Sequence, residues 1–200
     1  MYVPAHFALD DDAVDALLDH PGAAELVTIG EDGPEATLLP FVRDRERNVL
    51  LGHFARNNGH WTRVDGQTAL VIVRGPDSYI SPTWYASKAE HGRVVPTWNY
   101  VTVHVHGTVT VHDDVDATAD VVRRLTDLHE GGRWTMEDAP ERFVAGQLRA
   151  IVGVEVAIER VQAKAKLSQN RPPADVDGVI AGLHAVGDHR GADAVAAHRR

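Results

Sequence analysis

The sequence predicts a mainly β protein with peripheral helices, an α+β chain whose strands follow one another through short turns and close into an antiparallel barrel. Three observations carry this. Between 101 and 111, Val101, Val103, Val105, Val109 and Val111 alternate with Thr102, His104, His106, Thr108 and Thr110, the period-two pattern of a strand with one apolar and one polar face. Segments 24–29 and 36–42 are both strand-like and are joined by Glu31-Asp32-Gly33-Pro34, in which Asp-Gly is a hairpin signal. The helical patterns do not alternate one for one with strands, as a doubly wound sheet would require.

Taken in order, residues 10–20 place Ala13, Val14, Leu17 and Leu18 on one stripe behind an acidic start, and Pro21-Gly22 stops the run, so a short helix is expected. The hairpin follows, then a third strand over 48–54. Residues 69–73 form a β-branched apolar run ending at Gly75-Pro76, short enough for a strand buried on both faces. After the long strand, Val115, Val121, Val122, Leu125 and Leu128 mark a helix over 114–129 that Gly131-Gly132 ends. A helix over 140–150 and a strand over 152–158 come next, with Lys164 to Arg171 as a basic, polar loop after this last strand. Beyond Pro172-Pro173 a helix is expected over 175–183, followed by an Ala/His/Arg-rich tail. We expect one domain over 1–170, with 171–200 as its helical appendage.

Composition narrows the chemistry. At 200 residues, 44% hydrophobic and 24% charged, the chain is ordinary for a globular protein. No cysteine is present, which removes thiolate nucleophiles, disulfides, iron–sulfur clusters and Cys-type zinc sites. A net charge of −9 disfavours sequence-independent nucleic-acid binding outside a local basic patch. No apolar window is long enough to span a membrane, and the N-terminal stretch lacks the pattern of a secretory signal, so the expected location is cytoplasmic.

Four segments carry candidate chemistry. Gly52 to Trp61 follows a strand and opens polar residues, so its free backbone N–H groups with Arg56, Asn57 and Asn58 would make an anion cradle; an ordinary strand-to-helix turn is the structural alternative. Tyr79 to Tyr85 and Pro96 to Tyr100 concentrate aromatics in loops beside a strand, as the wall of a planar-ligand pocket or a satellite apolar cluster would. His104 and His106 share a strand face, but no third ligand follows at a suitable spacing, so no metal site is assigned. The Lys164–Arg171 segment would clamp an anion or form a solvated connection. Dinucleotide, Walker, nucleophile-elbow and zincin motifs are all absent.

Together, Met1 to Phe7, Gly52 to Trp61, Tyr79 to Tyr85, Val95 to Tyr100 with His104, and Lys166 to Asn170 resemble the PaiB family. That resemblance implies an FMN-binding negative transcriptional regulator with a split β-barrel like that of pyridoxamine-phosphate oxidases, working as a homodimer with flavin at the subunit interface. It implies that Arg56 and Asn58 lie on the phosphate side and Trp98 and Asn99 by the ring. Trp84, Tyr85 and Lys88 would line the same cleft, with Lys166, Ser168, Gln169 and Asn170 approaching from the C-terminal loop. With Asn57 and His104, these make up the expected cofactor-binding set. Two departures from the family pattern are Gly59, where a proline is usual, and Ala165, where an aromatic is common.

Two other functions remain open at this stage. A small flavin- or deazaflavin-dependent reductase or oxidase would use the same cleft, with His104 stabilising negative charge on reduced flavin. Haem binding or degradation through His104 or His53 rests on fold analogy. No helix-turn-helix with a basic recognition helix is legible, so contact with operator DNA would come from Lys164, Lys166, Arg171, Arg199 and Arg200.

Overall fold

The computed structural model describes residues 1–199, which form seven strands and six α-helices. The strands are β1 (Ala23–Gly30), β2 (Gly33–Asp44), β3 (Val49–Ala55), β4 (Thr68–Ile80), β5 (Thr97–His112), β6 (Ile151–Ala157) and β7 (Arg160–Lys166). The helices are α1 (Asp11–Asp19), α2 (Ser87–His91), α3 (Val115–Glu130), α4 (Glu141–Leu148), α5 (Pro173–Ala185) and α6 (His189–Ala197). The strands hydrogen-bond in the order β4-β1-β2-β3-β6-β5-β7, and a further β4–β5 pairing closes the first six into a ring. This is the split-barrel class.

The described chain divides into two compact units, neither contiguous in sequence: residues 14–73 with 104–161, and residues 1–13 with 74–103 and 162–199. Strands β4 and β5 contribute to both. The tail after Pro172 thus belongs to the same unit as the N-terminal segment.

In the first of these units, β1 and β2 form the expected hairpin, with Val27 opposite Ala36 and Gly30 opposite Gly33. On β3, Leu50, Gly52 and Phe54 face Val156, Val154 and Val152 of β6 across the ladder. Phe41 and Phe54 are wholly buried. Removing such a side chain from water contributes about 1.5–3 kcal/mol. Alternate residues of β2 and β3 point outward under α3, where Val42, Val49 and Leu51 pack with Val121 and Leu125. Asp114 caps α3 by accepting from Ala117 N at 2.7 Å, and Gly131 ends it in the left-handed conformation. Helix α1 is tied to the end of β2 by Arg43 and Asp15, 2.6 Å apart.

Two strand expectations are corrected. β4 does not stop at Gly75-Pro76 but runs on to Ile80. A side chain at Gly75 would place its Cβ 2.7 Å from that of Val101, so glycine there lets β4 pass close along β5 rather than ending the strand. Nor is the 69–73 run buried on both faces: Ala69, Val71 and Val73 are buried, whereas Leu70 and Ile72 are only partly covered. The basic segment is likewise shorter as a loop than expected, because residues 160–166 form β7. Its alternation of polar and small residues hides the strand, since Ala165 is the only buried position along it.

Candidate functional site

The densest set of the expected site residues lies in the second unit, around the turn that follows β7. Ser168 is 4% exposed and adopts a positive φ of 68°, a conformation unusual for a residue with a side chain. Neighbouring bonds hold it there. Gln169 accepts from Leu167 N and donates to Ala165 O, both at 2.7 Å, while Arg171 N donates to Ser168 O at 2.9 Å. From β5, the Asn99 amide, 2% exposed, donates to Ser168 Oγ at 3.0 Å. Lys166 Nζ donates to Thr97 Oγ1 at 2.6 Å and to the Trp98 carbonyl at 2.5 Å.

A cavity of about 110 Å³ opens here, lined by Tyr85, Thr97, Asn99, Lys166, Ser168 and Arg171 together with Val95 and Asn170. The Arg171 guanidinium lies 4.6 Å from the Tyr85 ring centre. Tyr85 is 2% exposed, and its hydroxyl is sealed with no hydrogen-bond partner. Burial pushes the Tyr85 pKa up, so at neutral pH this group is an O–H donor with nothing to donate to. Burial first, and then repulsion from Lys164 and Arg171, pull the Lys166 pKa down. Among the described residues no carboxylate lies within ion-pair distance of Lys164, Lys166 or Arg171. Lys164 instead faces the rings of Tyr2, Phe7 and Tyr100, with Nζ 5.3–5.9 Å from their centres. In a chain of net charge −9, a cationic turn without a carboxylate partner is a local exception to the overall charge and can attract an anion.

Beside the turn, Trp98 is 55% and Tyr79 49% exposed, their ring centres 6.0 Å apart in an edge-to-face pair. The exposed Trp98 indole, steadied by this contact, offers an apolar ring face next to the cations. Trp84 has a different neighbour: its indole packs onto α5 at Gly182, and its carbonyl approaches Gly178. Lys88 stands exposed on α2. Arg171 is legible in the basic run, but nothing in the sequence joins it to the cofactor set. Only the turn at Ser168 brings it back over Tyr85.

The remaining expected residues lie in the other unit, where most of their polar groups have internal partners. The Arg56 guanidinium donates to the carbonyls of Arg149 at 2.8 Å and Ile151 at 3.1 Å, pairs with Asp113 at 2.6 Å, and stacks 5.7 Å from the Trp61 ring centre. Asn58 accepts from His60 N and donates to Thr37 Oγ1. Asn57 is exposed. His104 is half-buried on β5, and burial holds its pKa below the usual histidine range. No group of three or more metal-ligating side chains occurs among the described residues.

A closed antiparallel barrel with this strand order defines a split-barrel protein. The chain belongs to the PaiB family of FMN-binding proteins: the family model described as "Putative FMN-binding domain" matches residues 1–160. It is 29% identical to the Bacillus subtilis protein named "Protease synthase and sporulation protein PAI 2", over 90% of this chain and 87% of that one. An uncharacterized Aspergillus fumigatus protein is 36% identical over 74% of this chain and 70% of its own length. Among solved structures, the flavocytochrome Anf3 of Azotobacter vinelandii superposes with a TM-score of 0.60 at 20% identity, covering 78% of this chain and 67% of that one. The FAD and heme binding protein of Mycobacterium smegmatis gives 0.58 at 20% identity, covering 78% and 71%. These likenesses show the fold. FMN is the cofactor that the family match assigns, and no described helix is long and apolar enough to cross a membrane.

Proposed function

We propose that this chain is a cytoplasmic, homodimeric, FMN-responsive negative regulator of transcription, with the flavin phosphate held by Lys166, Ser168 and Arg171 and the ring set against Trp98. The observation that carries the reading is the cationic turn without carboxylates beside an exposed aromatic pair. A phosphate monoester matches the two cations beside the Ser168 turn. Asn99 fixes Ser168, and Gln169 fixes the turn, so the donors are positioned before the ligand arrives. Bound FMN supplies redox chemistry that the side chains cannot.

The name of the Bacillus subtilis relative links it to sporulation, and that supports a regulatory reading. Operator DNA is the proposed macromolecular partner, reached through Lys164, Lys166 and Arg171. Arg199 is already paired with Asp177 at 2.7 Å, and Arg200 lies outside the described residues. On this reading a DNA phosphate and the flavin phosphate compete for the same cations. Haem has less support, because a metal-bound histidine normally donates its other ring N–H to a partner, and His53 Nδ1 has none.

The test is FMN titration, followed by visible absorbance, of the wild-type protein and of Arg171→Ala and Arg56→Ala. Losing a charged hydrogen bond worth about 1.5–3 kcal/mol should weaken binding roughly 10–100-fold in Arg171→Ala. Arg56→Ala should lower stability while leaving FMN affinity within about threefold of wild type. The opposite ranking would move the phosphate to Arg56, and NAD(P)H turnover faster than that of free FMN would replace the regulator with a reductase.

A further inference from the structure

In the unit built from residues 14–73 and 104–161, a second cavity of about 300 Å³ lies beneath α3, well away in sequence from the cationic turn. Its lining is Pro40 of β2, His53 of β3, Val122, Leu125 and Thr126 of α3, and Trp134, with His129 and Glu130 at the end of the helix. The origin of the space can be read from the ladder. Val49, Leu51 and His53 alternate onto the face of β3 that α3 covers; Val49 and Leu51 fill their share of that layer, but the third position is a histidine. Gly153 of β6 stands directly across from His53 and carries no side chain. The neighbour on the other side is Pro40, which has no N–H to offer. Neither strand neighbour of His53 thus fills the layer with a side chain or offers its ring a donor.

Nδ1 of His53 is sealed from solvent with no hydrogen-bond partner. Burial holds the ring neutral by lowering its pKa. An unpartnered buried acceptor is better tolerated than an unpartnered N–H, which places the proton on Nε2, the nitrogen that remains able to donate. The ring therefore presents one donor, Nε2–H, beside an unfilled apolar space, a combination that a flat apolar molecule carrying an acceptor complements.

We propose that this cavity is a small-molecule binding site that takes a neutral, flat molecule of one or two rings, with a ring nitrogen or carbonyl accepting from His53. Its size is at the lower end of ligand pockets, and Trp134, 42% exposed, forms an aromatic wall at its mouth. Charged ligands are disfavoured, because the inner lining of Pro40, Val122 and Leu125 has no counter-ion.

Quinoline and indole test this as matched probes, since quinoline only accepts a hydrogen bond through nitrogen and indole only donates. They would be titrated into the full chain, following the Trp134 side-chain N–H and the Val122 amide by NMR. Saturable shifts at both reporters, with quinoline binding at least about fivefold tighter than indole, are expected. In His53→Phe the quinoline preference should vanish, and Thr126→Trp, which blocks the cavity from the helix side, should abolish binding of both. No saturable shift up to about 10 mM, or an unchanged quinoline preference in His53→Phe, would overturn the proposal. FMN affinity should be the same in all three proteins, which keeps the result separate from the flavin reading.

Discussion

His60 is 1% exposed, with Thr28 Oγ1 2.8 Å from Nε2 and Thr37 Oγ1 2.8 Å from Nδ1. Because Asn58 donates to Thr37 Oγ1, the Thr37 hydroxyl is free to donate to Nδ1, which leaves Nε2–H to donate to Thr28. A neutral ring protonated on Nε2 satisfies every bond of this network. Replacing His60 with phenylalanine keeps the volume but strands the Thr28 hydroxyl, itself 3% exposed, and should cost about 1–3 kcal/mol in denaturant unfolding. A loss under about 0.5 kcal/mol would show that the network relaxes around it. Burial holds the His60 pKa below that of the unfolded chain, so its neutral ring supports the fold fully above about pH 6.5. That support fades as pH falls from there towards the folded pKa. We expect Tm to fall between pH 7.5 and 5.5, with a shallower slope in His60→Gln. The segment 52–61 was conspicuous in the sequence for its polar residues. Sequence alone did not show that Asn58 and His60 face two threonines from the β1–β2 hairpin, because those contacts cross more than 20 residues.

At the scale of elements, the helices with a strong local stop are the easiest to read, Pro21-Gly22 after α1 and Gly131 after α3, whereas the five-residue α2 shows no such pattern and α6 lies in the Ala/His/Arg-rich tail, where only the structure shows its cap. Asp188 accepts from Gly191 N at 2.9 Å and from Ser78 Oγ at 2.6 Å, and these bonds hold its carboxyl below the usual range. β7 was missed because a strand with one buried residue shows no apolar alternation. The fit of α5 to Trp84 was equally invisible. Gly178 and Gly182 sit one turn apart, and a Cβ at Gly182 would lie 2.3 Å from the indole. Glycine inside a helix costs about 1 kcal/mol relative to alanine, so its presence twice on one face reflects this contact rather than helix propensity. Gly182→Ala should therefore destabilise by about 1–3 kcal/mol despite better propensity, measurable as a lower midpoint in urea. A stabilised Gly182→Ala would mean that Trp84 moves freely off the helix.

At the scale of the whole molecule, one face of the barrel is left apolar. Val27 pairs with Ala36 on one side and Leu70 on the other, and Ile29 pairs with Pro34. Ile29 is 74% and Leu38 61% exposed. Contiguous exposed apolar surface of this kind marks an interaction site, and it supports the proposed homodimer. Leu38→Asp should give a monomer in sedimentation while changing unfolding free energy per chain by less than about 0.5 kcal/mol at a dilution where wild type is also monomeric. A wild type that is monomeric at every concentration would remove the dimer from the proposal.

The sequence by itself determined what depends on near neighbours: the β1–β2 hairpin from Asp-Gly, the long β5 from valine alternation, the helix ends from their caps, and the family from ordered motifs. Tertiary structure alone decided which polar side chains are available. Arg56 and Lys166 look alike in sequence, each a cation in a polar segment. Folding gives the Arg56 guanidinium a carboxylate, Asp113, besides two carbonyls, whereas Lys166 bonds the neutral Thr97 hydroxyl and Trp98 carbonyl and has no carboxylate beside it. The reason is physical: strand periodicity and turn chemistry are set by residues a few positions apart, whereas the partner of a long polar side chain is set by whatever the fold brings to it from far along the chain.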